Sequence, residues 1–352
     1  MMPNTSFLCL GELLLRLGPP DRELLLQSGE LKVYLGGAEA NTAAALSAFG
    51  HKVQMLSALP DGPMGEFALA ELRRRDIGCA HIRRVSGRIG LYFLNPGAML
   101  RPSEVYYDRA DSVFAQAKVA DWNWADTLDG VASLHLSGIS PAVSESAAQL
   151  CLHATKQARD RQIQISFDCN YRRALWERWQ GNARTTMRQL IERTQVLFAD
   201  PRDIAFLLQT PLDLDISSKD MGGQAPDPKA AFARAAEQAF DHFPELNVIA
   251  CTHRDERSVD NHRLSAFMAV RGAAVYEIPG VELAGIVDRI GTGDAFAAGL
   301  LHGLKRDWAP QKTLAFAHAS GCLKHGIPGD MFSTGEQNVL DLVEQSGFQI
   351  RR

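Results

Sequence analysis

Short apolar runs alternate along this chain with segments of helical period, and that alternation predicts most of the elements. Residues 7–11 make a brief apolar run ending at Gly11-Glu12, read as a strand. From Leu13 to Leu35 the apolar positions are scattered, so short exposed strands are expected there. Gly36-Gly37 then leads into an alanine-rich stretch that runs through Phe49 and stops at Gly50, which predicts a tightly packed helix closed by a glycine. Lys52–Leu59 reads as a strand, Pro60-Asp61-Gly62 as a turn and Met64–Arg75 as an amphipathic helix. Two strand-like runs, 88–94 and 103–109, flank Asn95-Pro96-Gly97 and predict a hairpin standing off the main sheet as a lid.

Beyond residue 130 the pattern becomes regular. Val131–Leu136, Gln162–Phe167, Gln195–Ala199 and Leu246–Cys251 are apolar strands separated by helical stretches, as expected of a parallel sheet covered on both faces. The fold class is therefore α/β, a doubly wound, mostly parallel sheet with helices on both faces and a small β lid. Segments 1–12, 36–85 and 119–352 are assigned to the core, and 13–35 with 86–118 to the lid. A polar loop at 214–229 is the one internal linker candidate. Gln311–His325 reads as a helix whose small residues, Ala315, Ala317, Ala319, Ser320 and Gly321, suit close packing on another helix or on a flat adenine ring.

Composition narrows the partners more than the fold. With 46% hydrophobic and 22% charged residues in 352, the chain can bury one large core. The net charge of −4 and the absence of a basic run exclude nucleic acid and anionic membrane as expected partners. No apolar run reaches the roughly 18 residues of a membrane-spanning helix. Phe7–Leu15 carries Glu12 and no basic leader, so a cytoplasmic protein is expected. Six scattered cysteines read as reduced core thiols, and ten histidines show no metal-ligand spacing.

Chemistry concentrates in Asp288-Arg289-Ile290-Gly291-Thr292-Gly293-Asp294 and the helix it opens. Unpaired N–H groups at a helix start form an anion site, and glycine lets an anion come close. Asp294 there either caps the helix or takes a proton from a hydroxyl attacking a phosphate. Gly36, Gly37 and Asn41 open the earlier helix, where they serve packing or contact sugar hydroxyls. Polar groups also gather after the predicted strands: Asp168, Asn170 and Arg172; Asp200 and Asp203; Thr252, His253 and Arg254. In an open parallel sheet such strand ends line one crevice.

These motifs resemble the ribokinase-like sugar kinases, the phosphofructokinase B group, over nearly the whole chain. Within it the likeness is to 2-keto-3-deoxygluconate kinases, through residues 36–41, 90–93, 107–109, 168–172 and 324–330. The resemblance implies a ribokinase-like fold and transfer of phosphate from ATP with Mg²⁺ to a sugar acid. Asp294 would be the base, with Gly291, Thr292 and Gly293 forming the anion hole. Gly36, Gly37, Asn41, Tyr92, Tyr107, Arg109, Asp168 and Arg172 would face the sugar. Asp200, Thr252, Arg254, Gly293 and His325 would lie toward the nucleotide. Asp203 would reach the metal through water, and Asp288 is a candidate K⁺ site. Independently of the resemblance, exposed strand edges of the lid favour pairing with a second subunit, so a homo-oligomer, dimer or higher, assembled through the lid is expected. Arg289 departs from the family's usual Thr and Thr292 from its Ala, and Asp200-Pro201-Arg202-Asp203 replaces an Asn-x-x-Glu motif.

A sugar acid presents a carboxylate that Arg109 and Arg172 can grip, which a neutral hexose does not. A fructokinase or other neutral-sugar kinase is the alternative, followed by a non-catalytic sugar sensor. A dehydrogenase lacks its Gly-x-Gly-x-x-Gly after the first strand, and no P-loop motif is present.

Overall fold

The computed structural model describes residues 6–210 and 227–344, so the polar loop expected at 214–229 lies almost wholly outside the described residues. The first half contains β1 (Ser6–Leu10), β2 (Leu14–Gly18), β3 (Lys32–Gly36), α1 (Ala38–Ala48), β4 (Lys52–Pro60), α2 (Pro63–Arg73), β5 (Ile77–Val85), β6 (Gly90–Asn95), β7 (Glu104–Asp108), α3 (Trp124–Thr127), β8 (Ser133–Ser137), α4 (Glu145–Asp160) and β9 (Gln164–Asp168). The second half adds α5 (Arg173–Arg178), α6 (Ala183–Ile191), β10 (Val196–Phe198), α7 (Pro201–Leu208), α8 (Pro228–His242), β11 (Val248–Ser258), β12 (Asn261–Val270), β13 (Val275–Ala284), α9 (Thr292–Lys305), α10 (Pro310–Lys324) and α11 (Glu336–Glu344).

Nine strands form one sheet in the order β13-β12-β11-β10-β9-β8-β1-β4-β5. The seven from β11 to β5 are parallel, and β12 and β13 add antiparallel strands at one end. Alternation along β1 shows why the sheet must be covered twice. Leu8 and Leu10 join a core with residues of α4, α6, α7 and α8, whereas Phe7 and Cys9 join one with α1, α2, α9 and α10. Helices α9 and α10 approach so closely that a Cβ on Gly299 would stand 2.8 Å from the Ala317 Cα, so the small residues of α10 serve helix packing.

Strands are added outward from β1, first to β4 and β5 and then, on its other side, to β8 through β11. The order thus reverses beside β1, and the crevice at the carboxyl ends of β1 and β8 is the place where such sheets bind ligands. Glu39 in the first turn of α1 pins this point. Its fully buried carboxylate accepts from the Ser137 amide (2.9 Å), Ser137 Oγ (2.8 Å) and Ser140 Oγ (2.8 Å) at the end of β8.

A separate sheet of order β3-β2-β6-β7 stands over that crevice. β6 and β7 pair antiparallel with Tyr92 opposite Tyr107. β2 is not an exposed strand, as the scattered pattern of 13–35 led one to expect. It is an inner strand of the small sheet, with Leu14, Leu15 and Arg16 all buried. β7, at the outer edge, is exposed throughout.

Candidate active site

Between the two sheets lies a cavity of about 340 Å³. Its floor is the start of α9. Gly291 adopts φ +79°, and a Cβ there would fall 2.0 Å from the Asp330 carbonyl oxygen, so the turn admits only glycine. Gly293 has the opposite character, because a Cβ there would meet no protein atom within 4 Å. The open space above it is part of the cavity.

Asp294 sits two residues into α9, half-buried, and does not cap the helix. Gly291 holds the cap position without a side-chain bond, and the Asp294 carboxylate instead accepts from Asn41 Nδ2 at 2.7 Å. Burial pushes its carboxyl up to about 8; the Asn41 bond opposes this, and the charges of Asp168, Glu39 and Asp330 reinforce it. Asp168, at the end of β9, is raised to about 6 by burial, which the bond from the Asn170 amide and the charge of Arg172 oppose. A proton acceptor with an elevated pKa therefore faces the cavity beside a helix N-terminus.

The roof is built by the small sheet and its exit. Tyr92 and Tyr107 face inward with ring centroids 6.2 Å apart. Arg109 is buried. Its Nε donates to Glu12 at 2.7 Å, its Nη2 pairs with the same carboxylate, and Nη1 has no hydrogen-bond partner among the described residues. Glu12 also accepts from Ser112 Oγ at 2.5 Å, so the carboxylate is fully held. Arg172, at the start of α5, is exposed and faces the same cavity. Gly37, Asn41, Asp168, Arg254 and Thr292 complete the set of predicted residues that converge here.

A family model for pfkB family carbohydrate kinases matches residues 4–249 and 263–335. The chain belongs to this family. A 2-dehydro-3-deoxygalactonokinase of Haloferax volcanii is 31% identical over 321 residues, 91% of each chain. The crystal structure of 2-dehydro-3-deoxygluconokinase from Thermotoga maritima is 33% identical with TM-score 0.88, covering 97% of this chain and 100% of that one. A pfkB family carbohydrate kinase from Listeria grayi is 30% identical with TM-score 0.87, over 97% and 100%. The doubly covered sheet with its small separate sheet is accordingly the ribokinase-like architecture of these carbohydrate kinases.

Several predicted site residues of the kinase are placed elsewhere. Gly36 does not line the cavity; a Cβ there would stand 2.3 Å from Asp330 Oδ2, so its smallness serves packing. Asp288 is not free for a cation. Its oxygens take Arg16 Nη1 (3.2 Å) and Nη2 (2.6 Å), the Ile290 amide (3.0 Å) and the Gly329 amide (2.9 Å). His325 is buried, with Nδ1 against the Gly321 carbonyl (2.7 Å) and Nε2 against His262 (3.1 Å), which leaves no ring nitrogen for a nucleotide. Thr252 lies within β11 opposite Ala266, outside the cavity. Asp200 caps α7, accepting from the amides of Arg202 and Asp203 and pairing with the Arg202 guanidinium. Asp203 returns a bond to the Asp200 amide and, half-buried beside Asp200 and Asp168, is raised to about 7, mainly by burial.

Sequence reasoning assigned no role to Glu12, Arg16, Glu39, Arg289, Lys324 or Asp330. Each is a charged residue, and all but Lys324 become significant through a partner far along the chain. Arg16, on β2, ties the small sheet to Asp288 and lies 3.0 Å from Asp330, whose other oxygen accepts from the Tyr92 hydroxyl. Buried Lys324 donates to the Ile327 carbonyl at 2.9 Å, beside the same acids. The one available cue was Glu12 itself, a carboxylate at the end of an apolar run.

Proposed function

We propose that the kinase transfers the γ-phosphoryl group of ATP to the terminal hydroxyl of a sugar acid, with 2-keto-3-deoxygluconate as the leading substrate. The observation that carries this reading is the convergence of two arginines, Arg109 and Arg172, with Tyr92 and Tyr107 in the cavity that holds Asp294. A carboxylate at one end of the acceptor would meet Arg172 and the free Nη1 of Arg109, leaving its far hydroxyl toward Asp294.

Asp294 would take the hydroxyl proton as the new P–O bond forms, and the amides at Gly291–Gly293 would hold the developing charge. The small sheet would act as a lid, excluding water that would otherwise accept the phosphoryl group. Among the described residues no three His, Cys, Asp or Glu side chains are arranged to hold a metal directly. Asp203 is the residue proposed to reach, through water, Mg²⁺ carried on the phosphates, while Asp200 stays occupied as the cap of α7 and partner of Arg202. Mg²⁺ would supply charge neutralisation between the β- and γ-phosphates. ADP release with 2-keto-3-deoxygluconate, its galactonate epimer, fructose and ribose tests the reading. Turnover of either acid well above fructose is expected, and equal use of fructose would overturn it.

Two further outcomes follow from the same geometry. Because Asp288 already carries the Arg16 guanidinium, K⁺ would add little there, and initial rates in K⁺ and Na⁺ at fixed ionic strength should agree within about twofold. The outer edge of β7, exposed and bearing Val105 and Tyr106, has unpaired backbone groups and is proposed as the seat of a dimer. Sedimentation should report twice the 38.6 kDa chain mass, and a proline at Tyr106 should return it to a monomer.

A further inference from the structure

Arg289 and Arg254 share a single counter-ion. Arg289 Nη2 pairs with Glu256 Oε1, and Arg254 Nη1 lies 3.6 Å from the same oxygen. Arg254 is held below its ordinary pKa first by burial and then by the neighbouring charge of Arg289, and its Nε is buried without a hydrogen-bond partner among the described residues. The nearby His262 and His325 add no charge of their own, since burial, with the charge of Arg254 adding to it, holds both rings well below the usual imidazole range, and Arg289 adds to this at His262. Two guanidiniums therefore crowd one carboxylate, an arrangement short of one negative charge.

The place of that deficit is specific. Arg254 and Arg289 line the sugar cavity and also an adjoining second cleft of about 760 Å³, whereas Glu256 lines only the second. The two arginines thus stand at the doorway between the cleft and the cavity that holds Asp294. A triphosphate seated in the second cleft would bring its γ-group past them on the way to Asp294.

Resting on the phosphotransfer reading above, we propose that Arg289 grips the phosphoryl group in transit, and that Glu256 is a built-in stand-in for that phosphate which releases Arg289 when donor arrives. In the step itself the bond from the γ-phosphorus to the β-bridging oxygen breaks and that oxygen leaves with its electron pair on ADP. A new bond forms from phosphorus to the sugar hydroxyl oxygen, whose proton passes to Asp294. The three non-bridging oxygens gather charge as this happens, and a planar guanidinium matches two of them at once.

Calorimetric titration with Mg-ADP and with the non-hydrolysable β,γ-imido analogue of ATP, without sugar, isolates the γ-phosphate contact. The unsubstituted protein should prefer the triphosphate. Arg289→Ala should abolish that preference while leaving ADP affinity nearly unchanged, and should lower kcat by about 10²–10³-fold. Arg289→Lys should recover part of the preference and less of the rate. Glu256→Gln, which removes the competing carboxylate, should lower the KM for ATP. Equal weakening of ADP and analogue by Arg289→Ala, or an unaltered preference, would overturn the assignment. A parent protein that prefers the triphosphate yet phosphorylates no sugar acid would instead overturn the acceptor reading and leave this contact standing.

Discussion

Asp294→Asn is expected to lower phosphoryl transfer by about 10²–10⁴-fold while sugar affinity survives, because the amide keeps the shape of the carboxylate and cannot accept the hydroxyl proton. The environment makes this test unusually informative. Asp294 is raised to about 8, first by burial, so in the ligand-free enzyme it carries its own proton at neutral pH. Below about pH 8, kcat/KM should rise with pH as the free enzyme's carboxyl ionises, and that limb should be missing from the residual rate of the Asn variant. Stability should run the other way. A carboxyl raised above its unfolded value leaves the fold undisturbed while protonated and destabilises it progressively as pH climbs from the ordinary carboxylate range to about 8. The parent should therefore lose stability across that window and Asp294→Asn should not, as thermal melts at pH 5 and pH 9 would show. A variant that keeps full turnover would remove Asp294 from the chemistry.

The second large effect is expected at Arg172. Arg109 and Arg172 both face the cavity, yet their electrostatics differ. Arg109 is buried with Glu12 wrapped around two of its nitrogens, so it offers one fixed donor and little net charge. Arg172 is exposed, with a long 3.4 Å bond to the Tyr171 carbonyl and no carboxylate salt bridge among the described residues. Arg172→Ala should thus raise the KM for a sugar acid by about 10- to 100-fold, the worth of a charge-assisted bond, and leave fructose nearly unaffected. Arg109→Ala should behave differently, stranding the buried Glu12 and costing about 3–5 kcal/mol of stability. Steady-state kinetics on both sugars, alongside denaturant melts, separate the two. Equal loss on acid and neutral sugar from Arg172→Ala would end its role in carboxylate recognition.

Much of the scaffold was legible because its signals are local. The runs that became β1, β4, β8, β9 and β11, the alanines of α1 and the Tyr92–Tyr107 hairpin all announce themselves within a dozen residues. β5, β12 and β13 did not. β5 and β13 are the two edge strands, and polar residues such as Arg83, Glu277 and Glu282 dilute their alternation, whereas β12 is an inner strand with Leu264 and residues 266–269 buried. β2 looked exposed for a related reason: its buried Arg16 reads as a surface charge until Asp288, 272 residues away, is known to receive it. The site divided along the same line. Asp294, Asn41 and the glycine turn carry short motifs, whereas His325 and Asp288 were misplaced because their inward partners, His262 and Arg16, are distant in the chain.

The cavity-lining side chains Tyr92, Tyr107 and Arg109 come from one hairpin and its exit, and Asp294, the proposed base, comes from the other end of the polypeptide. Swapping that hairpin offers a way to breed new acceptor preferences onto an unaltered engine. Any graft must bring replacements for Glu12 and Asp330 as well, since the transplanted tyrosine and arginine are moored to those two anchors in the host.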